Sequence, residues 1–206
     1  MGQDKALLKL PDGQSLLGQT VGVARSLLEA VGEDACWRSD SKGVAPSLAV
    51  VTPWPKRYQA AIAPPVQWIE DSREAGPLAG FIQAWAEIQS DWCLLLACDL
   101  PNLDAQVLQR WWQWLVVEAT VRQCSFKGAS SMPSAEASLV KRSGRWEPLC
   151  GYYHRSCIPG LTHYLASGRL DFQSWLPTLT IAPYLDMPEE MLFNCNRPAD
   201  WAKVTR

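Results

Sequence analysis

The stretch Leu94-Leu95-Leu96-Ala97-Cys98-Asp99-Leu100-Pro101 constrains this chain more than any other. It is apolar at every position from Cys93 to Cys98, ends on a carboxylate, and soon meets a proline, which cannot donate to a sheet ladder. Unbroken apolarity, without the in-and-out alternation of a half-solvated strand, predicts a parallel strand covered on both faces by helices. Asp99 then stands at the carboxyl end of a central strand, where open α/β sheets bind their ligands. An isolated carboxylate there suits a hard, oxygen-seeking cation such as magnesium. The same residue also reads as a turn or N-cap aspartate ahead of the next helix, and on this segment alone that is the commoner reading.

The flanking pattern alternates. Leu16, Leu17, Thr20, Val21, Ala24, Leu27, Leu28 and Val31 recur at helical spacing and Gly32 supplies the stop, so this helix has one apolar face. Residues 33–46 turn polar and small, as in a loop. Residues 47–52 and 66–70 read as strands, 56–61 as a short helix, and 77–89 as a helix with Pro77 in its first turn. Asp104 caps a predicted helix running to about Ala119, whose Trp111, Trp112 and Trp114 read as core and rim packing rather than a base-stacking platform. Residues 124–126, 135–141 and 148–154 read as strands, with Ser143-Gly144-Arg145 a turn between the last two. Residues 156–166 read as a helix closed by Gly168, and 179–184 as a final strand. Such alternation predicts an α/β fold with a mostly parallel sheet and crossover helices.

Composition narrows the function classes. Nineteen basic and 21 acidic residues give a formal charge of −2 with no basic block, which excludes an extended nucleic-acid or anionic-membrane surface. An anionic substrate must therefore be gripped locally. The seven cysteines form no C-x-x-C pair and several sit in apolar runs, as reduced thiols of a cytoplasmic protein do. The two histidines lie away from any cysteine cluster, which argues against zinc. No apolar run is long enough to span a bilayer, and no signal peptide is evident.

Four segments carry candidate chemistry. Asp4-Lys5 after a glycine places an ammonium near a backbone turn, where it can grip phosphate or simply be solvated. Glu70-Asp71 ahead of Gly76-Pro77-Leu78-Ala79-Gly80 sets a carboxylate beside a helix start whose free amides can accept a base edge or a phosphate, or else forms an ordinary turn. Asp99 is the third. Asn194 and Asn196, two apart in an extended segment, would share a face and offer donors and acceptors to a polar heterocycle, or act as turn formers before Pro198.

In this order the segments resemble those of the molybdenum cofactor guanylyltransferases, the family that attaches GMP to molybdopterin. The match includes Met1-Gly2-Gln3-Asp4-Lys5 against the end of the family's glycine-rich loop and Asp71 to Gly80 against D-x-x-x-x-G-P-L-A-G. It also includes Cys98 to Pro101 against C-D-x-P and Phe193 to Asn196 against F-x-N-x-N. The resemblance implies a three-layer Rossmann-like nucleotidyltransferase fold, with residues 1–206 a single nucleotidyltransferase domain that is N-terminally truncated relative to the family. It implies transfer of GMP from GTP to molybdenum-loaded molybdopterin with release of pyrophosphate, in the cytoplasm, with Mg2+ as cofactor. Lys5 and Asp99 would be catalytic; Lys5, Asp71, Gly76, Pro77, Leu78 and Asp99 would bind GTP; Asp99 would hold the metal; Asn194 and Asn196 would face molybdopterin. Other proteins of cofactor biosynthesis, or acceptors of the finished cofactor, are the expected partners. Alternatives are a related nucleotidyltransferase using another base or phosphorylated acceptor, and a non-catalytic molybdopterin-binding relative.

The tail departs from the family at Arg197 and Asp200, where threonine and glutamate are usual. The larger departure is in front: the family's first strand and most of its glycine-rich loop have no counterpart ahead of Gly2. The expectation is that translation starts upstream of Met1, and that the chain as it stands transfers nucleotide weakly or not at all.

Overall fold

The computed structural model describes residues 4–32, 47–72, 76–125, 135–195, 200–201 and 204. Asn196, Met1 to Gln3 and the expected loop over 33–46 lie outside them. Helix α1 (Leu16–Gly32) leads to β1 (Ala49–Thr52), the one-turn α2 (Pro55–Tyr58), β2 (Gln67–Glu70), α3 (Pro77–Glu87) and β3 (Trp92–Leu96). Helix α4 (Ala105–Ser125), β4 (Ala137–Arg142), β5 (Arg145–His154), α5 (Ile158–Ala166), α6 (Phe172–Trp175) and β6 (Ile181–Pro183) follow.

The fold is α/β. Strands β1 and β2 pair in parallel. The larger sheet has the order β3-β5-β4-β6; β5 runs antiparallel to both neighbours, while β4 and β6 are parallel, so three of its four strands point one way. The reversal at β5 is local in origin. Ser143 and Gly144 both take left-handed backbone (φ 49° and 78°), the two-residue geometry that turns a chain straight back on itself. The turn is thus one residue shorter than expected, and Arg145 already belongs to β5.

Alternation along β4 and β5 sends side chains to two helix layers. Val140, Cys150 and Tyr152 pack with Leu108, Trp111, Trp112 and Leu115 of α4 and with Leu27 and Val31 of α1. Ala137, Leu139 and Tyr153 pack with Leu78, Phe81 and Trp85 of α3, Leu161 of α5 and Phe172 and Trp175 of α6. The tryptophans of α4 are packing residues: Trp111 is fully buried, donates its indole N–H to Ser138 Oγ at 2.8 Å and stacks on Tyr184.

Two local expectations are corrected. Cys124 and Ser125 end α4 rather than opening a strand. An established helix adds one bond per residue, which a three-residue strand cannot outbid. Strand β3, expected as a buried central strand in parallel pairing, is half-buried at every position and stands at an edge of its sheet among the described strands, antiparallel to β5, because its other edge faces a cavity. No helix among the described residues is long and apolar enough to cross a membrane.

Candidate functional site

Thr52, Asp71 and Asp99 follow or close β1, β2 and β3 at their carboxyl ends, and all three line one cavity of about 710 Å³. Gly76, Pro77, Gly80 and Tyr58 line it as well, so of the residues singled out from sequence, Asp71, Gly76, Pro77 and Asp99 are brought together. Asp71 is tied to β1 through its amide, which donates to Thr52 O at 3.0 Å. Its carboxylate lies over the second turn of α3: a Cβ placed on Gly80 would sit 3.4 Å from Asp71 Oδ2 and 3.3 Å from Val51 Cγ1. Glycine there permits the close approach of helix and strand.

Gly76 opens α3 with φ 87°, a left-handed conformation that favours glycine. Pro77 has no amide hydrogen, and Ala79 and Gly80 both donate to Gly76 O at 3.1 and 3.3 Å. The Leu78 amide is left as a helix-start donor without an intrahelical acceptor. The Leu78 side chain is fully buried in the core on the other side, so only its backbone is available to a ligand.

Asp99 accepts from the Cys195 amide through its backbone carbonyl at 3.0 Å, which fastens the 193–195 segment to the end of β3. Its Oδ1 is buried with no hydrogen-bond partner among the described residues, and so is Oδ1 of neighbouring Asn194. An orphaned buried acceptor costs about 1–3 kcal/mol, a cost that a ligand can relieve. Burial pushes the Cys98 thiol up to about 11, with the Asp99 charge adding to the rise and the Lys5 charge opposing it. Burial also raises Cys195, again opposed by Lys5. Lys5 is therefore within electrostatic reach of the 98–99 and 195 segments, although it does not line the cavity itself.

Asp4 is consumed by structure. Its Oδ1 accepts from the Ala6 amide at 3.1 Å, while Oδ2 accepts from Tyr58 Oη at 2.7 Å and pairs with Arg57 Nε at 3.0 Å. This clasp holds the turn that carries Lys5. Helix α1 is held against the loop after β3 by Gln19, which donates to Pro101 O. Thr52 and Tyr58 were not singled out from sequence. Thr52 was legible by the strand-end logic that found Asp99; the pairing of Tyr58 with Asp4 has no local signal.

The MobA-like NTP transferase domain matches residues 1–179. The chain belongs to this family. It is 38% identical over 205 residues to a Trichormus variabilis protein named probable molybdenum cofactor guanylyltransferase, spanning 99% of this chain and 84% of that protein. A Synechococcus elongatus protein of the same name is 36% identical over 204 residues, spanning 98% and 89%. Among solved structures, molybdopterin-guanine dinucleotide biosynthesis protein A from Archaeoglobus fulgidus shares the fold with a TM-score of 0.61 at 18% identity, over 99% of this chain and 90% of that one. A Mycobacterium tuberculosis protein determined in complex with manganese gives 0.56 at 16% identity, over 99% and 92%.

A MobA-like NTP transferase is a nucleotidyltransferase, and its donor set here can be tested against a divalent cation. No group of three or more His, Cys, Asp or Glu able to hold a metal exists among the described residues. A cage made only of these side chains is thus not on offer. A single orphaned carboxylate oxygen at the end of β3 does fit an ion that keeps most of its shell in water and substrate phosphates, as magnesium does.

Proposed function

We propose that this chain transfers GMP from GTP to molybdenum-loaded molybdopterin, forming the guanine dinucleotide of the cofactor and pyrophosphate. The observation that carries the reading is the buried, partnerless Oδ1 of Asp99 in the cavity that Asp71 and the Gly76-Pro77 helix start also line. The names of the relatives supply the acceptor and the base.

In the step, an oxygen of molybdopterin's terminal phosphate attacks the α-phosphorus of GTP. The new P–O bond forms as the bond to the β-phosphate bridge breaks, and pyrophosphate leaves with the electron pair. The attacking phosphate is already ionised near pH 7, so no general base is needed. What the protein must supply is alignment of two polyanions and compensation of moving charge. Asp99 would hold Mg2+, whose charge offsets that of the phosphates. Lys5, steadied by the Asp4 clasp, would add a second positive charge. Asp71 and the backbone from Gly76 to Gly80 would seat the nucleoside, with Leu78 contributing only its amide. Asn194, and Asn196 beyond the described residues, would face the pterin.

The test is conversion of molybdenum-loaded molybdopterin to its dinucleotide by Asp99→Asn. Asparagine keeps the shape and discards the charge, so turnover should fall at least about 100-fold, the scale on which lost transition-state charge stabilisation is felt, with an unchanged melting temperature. Retained turnover removes the role assigned to Asp99. Melting shifts with GTP, CTP, ATP and UTP in the presence of Mg2+ decide the base: a rise with GTP alone is expected, and a larger rise with another nucleotide overturns the guanine assignment.

A further inference from the structure

Of the large apolar side chains left exposed among the described residues, Trp54 alone is aromatic; the others are Val117, Leu170 and Leu185. It follows the end of β1 by two residues, and the chain on either side of it belongs to the cavity: Thr52 and Pro53 line it, and so does Tyr58. Residues 54–57 therefore form part of its outer rim. Single exposed hydrophobic residues are ordinary on a protein surface; what sets Trp54 apart is where it stands and how it is held.

Its place is fixed by Thr52. The Thr52 carbonyl accepts from the Asp71 amide at 3.0 Å, and Thr52 Oγ1 accepts from the Trp54 amide at 3.2 Å. One buried threonine thus anchors both the segment whose carboxylate would seat the nucleoside and the exposed indole. Trp54 caps α2, which packs against β2, the strand that Asp71 follows. Asn194, assigned to the acceptor, belongs instead to the β3 side, where the neighbouring Cys195 amide is fastened to Asp99 O.

Its restraint comes from Arg57. The guanidinium carbon lies 5.9 Å from the ring centres of both Trp54 and Tyr58, within cation–π range, and Arg57 Nε pairs with Asp4 Oδ2 at 3.0 Å. The Arg57 amide also donates to Trp54 O at 3.0 Å. The indole is held by a cation that is itself held by a carboxylate, yet Trp54 remains 55% exposed. A ring restrained before its ligand arrives has less freedom to lose on stacking. Lys56 and Arg57 together outweigh the charge of Asp4 on this rim, which suits a planar ligand that carries phosphates.

We propose that Trp54 is the surface on which the base of the nucleotide stacks. This role rests on the assignment of the cavity to a nucleotide and supplies an aromatic contact that the strand-end residues lack. The base lies against the indole at the rim, and the rest of the nucleotide runs inward past Asp71 towards Asp99. Stacking uses the π-face that every base has, so Trp54 contributes affinity, and the choice of base is left to the polar groups of the helix start at Gly76.

The test compares the 206-residue chain with its Trp54→Ala and Trp54→Phe variants, each titrated calorimetrically with GTP, GMP and inorganic tripolyphosphate in the presence of Mg2+. Loss of the indole in Trp54→Ala should weaken GTP and GMP by the same factor, about 5- to 150-fold on the scale of one stacked base, and leave tripolyphosphate unchanged. Trp54→Phe keeps a smaller ring and should recover most of the loss. GTP should also quench part of the fluorescence of the eleven tryptophans, and that quenching should vanish in Trp54→Phe although nucleotide still binds. A residue that only packs gives another pattern, a lowered melting temperature in Trp54→Ala with unchanged GTP affinity, and this result overturns the proposal. Equal weakening of tripolyphosphate overturns it as well, because the effect would then lie at the phosphates. So does a loss confined to molybdopterin. UTP bound as tightly as GTP, and weakened equally by Trp54→Ala, removes the guanine assignment and supports the stacking role. Retained turnover in Asp99→Asn removes the metal role and leaves these titrations untouched, so the two assignments fail separately.

Discussion

Leu139 and Leu94 are the same side chain in two strands of one sheet, and they live differently. Leu139 lies in β4, which has a partner on each side; it is fully buried and packs against α3, α5 and α6. Leu94 lies in β3, which has β5 on one side and the cavity on the other, and it stays half-buried though both its neighbours in sequence are apolar. The difference teaches that burial of a strand residue depends on how many strands flank it as much as on which helices cover it. It also separates a filled half of the molecule, built on β4, β5 and β6, from an open half in which the strand ends carry the candidate site. The packed strands lie on one side of β3 and the cavity of the candidate site on the other.

Leucine-to-alanine changes at these two positions test the contrast most strongly. Leu139→Ala removes contacts from a site that cannot collapse and should cost about 2–5 kcal/mol in urea denaturation. Leu94→Ala, beside space that already exists, should cost less than half as much; equal losses would mean that Leu94 is packed as tightly as Leu139.

Gly151 sharpens the account of the filled half. A Cβ there would collide with Leu139 Cδ2 and approach Ser138 O to 3.3 Å. Gly151→Ala should therefore cost about 1–3 kcal/mol by overpacking. Combined with Leu139→Ala, which vacates the colliding atoms, it should cost clearly less than the sum of the two, a coupling that a double-mutant cycle measures. Simple additivity would place the collision elsewhere.

The smallest effect belongs to the open half. Burial and the bond to Asp4 push the Tyr58 hydroxyl up to about 12. A folded-state value above the unfolded value of about 10 means that the contribution is intact below pH 10 and is lost as pH rises towards 12. Tyr58→Phe should lower stability at pH 7 by about 1 kcal/mol, the net worth of the bond to Asp4, and flatten stability against pH across that window. An unchanged slope would show that the clasp on Asp4 does not couple to folding.

Much of the fold was legible because period and punctuation are local. The 3.6-residue repeat from Leu16 to Val31, the apolar runs at 47–52 and 93–98, and Pro77 at a helix start each fix an element without help from distant chain. Candidate residues at strand ends were legible for a related reason: a carboxylate that interrupts an apolar run marks the place where the chain leaves the core. Local pattern gave no access to the end of α4 at Ser125, where helix continuation overrode a short apolar cluster, or to the Asp4–Tyr58–Arg57 clasp, whose members are brought together by tertiary contact.

The sequence by itself determined most of the strands and helices, and that Asp71 and Asp99 follow strands while Gly76 and Pro77 open a helix. Only the tertiary structure decided that these four line one cavity, that the Leu78 side chain turns into the core, and that β1 and β3 face each other across a gap. The physical reason is that dihedral preference and side-chain period act over a few residues. Which edges find partners is instead settled by long-range pairing, whose outcome no single stretch of chain encodes.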